Sequence, residues 1–217
     1  MKRILIPILV ILVLLLGACG AQPTTPEAGP TPSEPEIPAD YITYTDEVGL
    51  FSISYPPEWE PALSQLPERE AAMKNLVNSI NSDVPIENAS CLFLAGIPIN
   101  GTYSPNVVIM VEPMPTEIST HEQMVEAEIN GVKQIVLDYH ELHRVKTIVD
   151  GREATIIEMD LTYPQIGQVY YVAMLTLIGR NVWGVGCTVY ITDSFVTESS
   201  QWEKDFQAIV RSFRILK

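Results

Sequence analysis

The architecture is most plainly written in Val145-Lys146-Thr147-Ile148-Val149-Asp150-Gly151-Arg152-Glu153-Ala154-Thr155-Ile156-Ile157. Two runs rich in β-branched residues flank Asp150-Gly151, a dipeptide suited to the positive-φ backbone of a two-residue hairpin turn. The pattern predicts two strands, Tyr139 to Val149 and Glu153 to Tyr163. Gln168 to Ile178 is a further long apolar strand, Gly179-Arg180-Asn181 a turn, and Val182 to Ile191 the next strand. Consecutive strands joined by tight turns pair antiparallel. The centre of the chain is therefore expected to be an antiparallel meander.

Upstream, Tyr41 to Tyr44 and Phe51 to Tyr55 alternate apolar with polar residues and read as short strands around the turn Asp46-Glu47-Val48-Gly49. Pro56-Pro57 ends the second, because proline donates no ladder hydrogen bond, and Trp59 is expected to plug the edge of the core. Pro67 to Ile80 is predicted to be a helix, with Glu68 and Glu70 near its positive end and Ala72, Met73, Leu76, Val77 and Ile80 on one face. Cys91 to Ile97 and Asn106 to Val111 are strands, the latter ended by Pro113 and Pro115. A second helix begins near Ser119, which has capping-box spacing to Glu122, and carries Met124, Val125, Ile129, Val132, Ile135 and Val136. The last helix is placed from about Ser200 to Ser212, with Ser200 and Glu203 as a second capping box. Its apolar face is Trp202, Phe206, Ile209, Val210 and Phe213, and a short strand from Phe213 to Leu216 closes the chain. Strands, helix, strands, helix, meander, helix is an α+β order rather than alternating βαβ.

Two short stretches carry a family resemblance. Phe51-Ser52-Ile53-Ser54-Tyr55-Pro56-Pro57-Glu58-Trp59 opens the domain, and Phe206-Gln207-Ala208-Ile209-Val210-Arg211-Ser212-Phe213 closes it. An aromatic strand running into Tyr-Pro and then Trp, with a final helix ending in Ser-Phe, resembles the PsbP-like family over roughly residues 41–217. The resemblance implies an α/β/α sandwich with a central, mainly antiparallel sheet and helices on both faces. Plant and cyanobacterial members assist the oxygen-evolving photosystem, and relatives of the fold bind a small nuclear GTPase. No functional residue of the family maps onto this chain, and fold does not imply function.

The amino-terminal residues supply an address. Lys2 and Arg3 precede an apolar run from Ile4 to Leu16, broken by Pro7. About 13 residues span roughly 20 Å as a helix, short of the ~30 Å hydrocarbon core. That is a secretory signal rather than a membrane span. Leu16-Gly17-Ala18-Cys19 resembles the lipobox of bacterial lipoproteins. It implies cleavage of residues 1–18 and thioether attachment of diacylglycerol, with acyl chains such as palmitate, to Cys19. Two or more chains hold a protein stably at ~0.8 kcal/mol per buried methylene. Residues 19–40 carry Pro23, Pro26, Pro30, Pro32, Pro35 and Pro38 and almost nothing apolar. They are expected to form a disordered, extended tether reaching up to roughly 60 Å. Residues 41–217 are the folded domain. The expected location is the cell membrane, facing the periplasm or the cell surface.

The formal charge is −14, and loss of Lys2 and Arg3 makes the mature chain more acidic still. That balance excludes nucleic acid as a partner, whose binding needs Lys and Arg. Export permits disulfides, and Cys91 and Cys187 allow one bridge. The alternative is two separate buried thiols, and spacing alone does not decide between them.

No catalytic, cofactor or metal site emerges from the sequence. His140 and His143 stand three apart on a strand, so they point to opposite faces unless the strand is broken there. His121, in the first turn of a helix, is expected to be exposed. Asp150 is a turn residue. Glu158 and Asp160 share a face that reads as solvated, and calcium would need six or more oxygens. Asn88-Ala89-Ser90 matches a glycosylation sequon without meaning in a bacterial protein. The first expectation is a non-catalytic protein-binding or assembly module with an unidentified protein partner and a surface patch of aromatic or Met side chains. The alternative is a small-molecule or ion-binding lipoprotein, and a hydrolase ranks last.

Overall fold

The meander is present, and it forms one wing of a larger sheet. A computed structural model describes residues 36–48, 50–79, 85–99, 102–191 and 193–216, with side chains from 201 onward in the last segment. The signal stretch, Cys19 and the tether to residue 35 lie outside the described residues, as do Gly49 and Ile80. Strands β4 (Ser90–Ile99), β5 (Thr102–Pro113), β6 (Asp138–Val149), β7 (Arg152–Tyr163), β8 (Gly167–Ile178) and β9 (Asn181–Tyr190) join the two-residue β3 (Glu60–Pro61) in an antiparallel sheet of order β3-β4-β5-β9-β8-β7-β6. The hairpin turn is as predicted: Asp150 has φ 47° and Gly151 φ 78°. Asp150 also accepts the Ile215 N–H on Oδ2 at 2.7 Å, which ties this turn to the end of the chain.

Helices cover both faces. The back face carries α2 (His121–Ile135), whose Met124, Val125 and Ile129 pack on Ile157, Met159, Leu161, Val169 and Ala173. On the front face lie α1 (Arg69–Ser79) and α3 (Asp193–Ser212). Phe206, Ile209, Val210 and Phe213 close there over Tyr170, Val172, Trp183 and Val185. This is the expected α+β sandwich. Its front layer also holds a separate sheet: β1 (Ile42–Thr45), β2 (Phe51–Tyr55) and β10 (Arg214–Ile215) form their own three-stranded unit. The two stretches that open and close the domain therefore meet. Ser212 Oγ accepts the Ser54 N–H at 2.8 Å, Phe51 and Phe213 lie 6.2 Å apart, and Trp59, 2% exposed, sits edge-on to Phe206 at 6.3 Å.

Several boundaries shift for physical reasons. The cap of α2 is Thr120, which accepts the Gln123 N–H at 3.2 Å, while Gln123 Oε1 reaches back to the Ser119 N–H at 3.0 Å. The capping box lies one residue beyond the Ser119–Glu122 pair. α3 starts at Asp193, so Ser200 lies inside the helix rather than at its start. β5 runs through Pro105, because pairing with β9 begins only at Asn106 and no ladder bond is lost. Val77 is 37% exposed and Ile135 61%, off the buried faces assigned to them.

Candidate functional site: an aromatic groove with an acidic rim

β6 and β7 bring the histidines together in a way the sequence hid. Their register slips between Glu141 and His143, so Leu142 is the extra residue of a bulge. His140 then faces Asp160, and His143 faces Glu158. The strand is broken where it had to be for His140 and His143 to share a face. The face is not simply solvated: Glu158 accepts from the Tyr170 hydroxyl at 3.4 Å and from the Gln207 amide, and burial raises the Asp160 carboxyl. Among the described residues no three His, Cys, Asp or Glu are grouped to hold a metal ion.

His121 is also corrected. It is half-buried rather than exposed, with Nε2 2.9 Å from Thr155 Oγ1, and burial lowers its pKa. Cys91 and Cys187 are separate free thiols. Cys91 lies opposite Met110 on β5, which itself faces Gly184, whereas Cys187 pairs with Val107. Two strand spacings alone make about 10 Å, beyond the reach of a disulfide. Asn88 and Ala89 are exposed and Ser90 half-buried.

Glu112 of β5 and Glu128 of α2 face each other across the helix–sheet seam and share a hydrogen bond. Burial first, then the charge of Glu112, pushes Glu128 up to about 7. Acids 16 residues apart carry no helix or strand signature that would have found this pair. Asp46 likewise turned out to be more than a turn residue. It is 3% exposed and accepts the N–H groups of Val48, Leu50 and Phe51.

Three surface depressions stand out among the described residues. One, of about 540 Å³, lies between α1 and the β1–β2 turn and mixes both charges: Glu47, Arg69, Glu70 and Lys74. A second, of about 320 Å³, lies beside His121 and Lys146. The third, of about 350 Å³, differs in kind. Its walls are rings: Pro38 and Tyr41 from the segment leading into β1, Pro56 and Pro57 after β2, and Trp202 of α3. Asp40, Glu58 and Asp205 stand around it. The Tyr41 hydroxyl donates to Asp205 Oδ1 at 2.9 Å, and Gln201 Nε2 to the same oxygen at 2.8 Å. Burial, then Asp205 and Glu58, raises the Tyr41 phenol far above its usual value, so it stays a neutral donor. Trp202 is braced from below by Phe206 at 6.2 Å, which in turn stacks on Tyr170 at 5.9 Å. Among the described residues no Lys or Arg pairs with Asp40, Glu58 or Asp205. The groove joins residues 164 apart in sequence, which is why no local motif announced it.

No family model matches the chain, and no curated protein does. Among solved structures it is similar to the solution structure of cyanobacterial PsbP from Synechocystis, at 14% identity and TM-score 0.48, over 92% of this chain and 98% of that one. It is similar to the Saccharomyces cerevisiae Ran-binding protein Mog1p at 12% identity and TM-score 0.48, over 82% and 96%. A third is the Pseudomonas aeruginosa immunity protein TplEi, solved with a peptide, at 10% identity and TM-score 0.41, over 82% and 99%. These are resemblances of chain path, and the functional assignment rests on the groove instead.

Proposed function

We propose that this chain is a non-catalytic protein-binding module of PsbP-like architecture, anchored by lipid on Cys19 and held off the membrane by residues 19–40. One observation carries the reading: a groove walled by rigid rings and rimmed by three carboxylates that no Lys or Arg pairs with among the described residues. Flat aromatic and proline surfaces present contact area at low entropic cost, which suits a polypeptide ligand. Uncompensated acids at the rim steer and orient a basic partner. The apolar signal run and lipobox support export and anchoring, and no described helix is long and apolar enough to cross a membrane.

The test is isolation of the full-length protein from gently solubilised membranes, as wild type, Cys19→Ala and Glu58→Lys. The reading expects a defined protein to co-purify with wild type and to be lost with Glu58→Lys, and radiolabelled palmitate to be incorporated by wild type but not Cys19→Ala. Recovery of a small molecule with no protein partner overturns it in favour of a ligand-carrying lipoprotein. The groove of about 540 Å³ beside α1 is the place such a ligand would occupy.

A further inference from the structure

The groove also points to the chemistry of its occupant. We infer that it takes a proline-rich segment carrying Lys or Arg, bound as a polyproline II helix between Tyr41 and Trp202. The inference rests on the protein-binding reading and specifies its partner.

Three features converge. The apolar lining is all rings, with Tyr41 and Trp202 standing among Pro38, Pro56 and Pro57. Pyrrolidine rings of a left-handed, three-residue-per-turn helix pack against such surfaces, and that helix is already extended before it binds. Its backbone carbonyls have no internal partner, and Trp202, which lines the groove, carries an indole N–H able to donate to one. Finally, Asp40, Glu58 and Asp205 surround the rings, and no described Lys or Arg pairs with them. Asp205 is fixed in place through the Tyr41 hydroxyl and the Gln201 amide, both on Oδ1. A cation beside the prolines meets this rim; an acidic or neutral segment does not. The small volume of about 350 Å³ accommodates only two or three ligand residues at once, so binding is expected to be weak and salt-sensitive.

The experiment is fluorescence anisotropy with the full-length protein in detergent micelles and the labelled peptide PPRPPRPPRP. AARAARAARA and PPEPPEPPEP serve as controls. The proline–arginine peptide should bind, and both controls should bind at least ~tenfold more weakly. Trp202→Ala should abolish binding. Because Trp202 also packs on Phe206, the exposed Glu58→Lys, which disturbs no packing, is the second variant and should weaken binding ~tenfold. Equal affinity for AARAARAARA would reduce the groove to a generic acidic surface and overturn the inference. So would no binding by PPRPPRPPRP, or unchanged affinity in Glu58→Lys. If the peptides fail while the membrane isolation still yields a Glu58-dependent protein, proline recognition falls and protein binding stands. If both fail, both fall.

Discussion

Replacing Glu128 by Gln should stabilise the protein at alkaline pH and leave it nearly unchanged in acid. Glu128 leaves α2 to face Glu112 on β5, half-buried and hydrogen-bonded to it. Burial and the facing carboxylate push Glu128 from the ordinary 4.5 up to about 7. The folded protein therefore binds a proton that the unfolded chain has already released. Where the native state holds more protons, stability falls as pH rises. The contribution is complete below about 4.5 and is lost by about 7. At ~1.4 kcal/mol per unit the interval is worth at most ~3.4 kcal/mol. Solvent reaches part of the carboxyl, and screening reduces this to about 1–2 kcal/mol. Gln keeps the size and offers Glu112 a donor while removing the charge. Urea unfolding of wild type and Glu128→Gln at pH 5 and pH 8 isolates the effect of this acid pair, since titrations away from Glu112 and Glu128 are common to both proteins. The variant should match wild type within about 0.5 kcal/mol at pH 5 and exceed it by about 1–2 kcal/mol at pH 8. Parallel pH dependence in the two proteins, or a variant weaker at pH 8, would refute the argument.

Three other outcomes follow from the packing. Asp46→Ala strips three backbone N–H groups of their acceptor and should cost about 2–4 kcal/mol in denaturant unfolding. Gly96→Ala drives a Cβ into the Pro105 carbonyl and Asn106, backbone atoms of the neighbouring strand, and should cost about 1–3 kcal/mol, whereas Gly131→Ala meets open space and should be neutral or mildly stabilising. Burial raises both thiols above the usual value, and Cys187 is fully enclosed while Cys91 is half-exposed. A thiol reagent at pH 8 should modify Cys91 slowly in the native protein and Cys187 only after unfolding; simultaneous modification would contradict this burial.

What was legible in the sequence was local. Asp150-Gly151 and the alternation on either side specified a hairpin, and the apolar spacing of Phe206, Ile209, Val210 and Phe213 specified a buried helix face. Error entered where one local signal imitated another. Ser200 and Glu203 have capping-box spacing, yet they sit inside a helix that begins at Asp193. The Leu142 bulge breaks the period of two without a glycine or proline to mark it, and this is the break that puts His143 on the face of His140. The separate small sheet, the Glu112–Glu128 pair and the groove depend on contacts between distant parts of the chain: β10 with β2, β5 with α2, Tyr41 with Asp205. Spacing rules reach about one turn of helix or one hairpin, so those features had no sequence signal to follow. The two motifs that suggested the family are an intermediate case. Their residues are short-range patterns, and the reason they occur together became visible only when Ser54 and Ser212 proved to be hydrogen-bonded.

The most direct test of the central claim is site-specific photo-crosslinking in intact cells. A photoreactive residue replaces Pro57 at the exposed lip of the groove or, as a control, the exposed Asn130 on α2. The account predicts a discrete protein adduct from position 57, none from position 130, and loss of the adduct when Cys19→Ala removes the anchor. No adduct from position 57, or the same adduct from both positions, would contradict it.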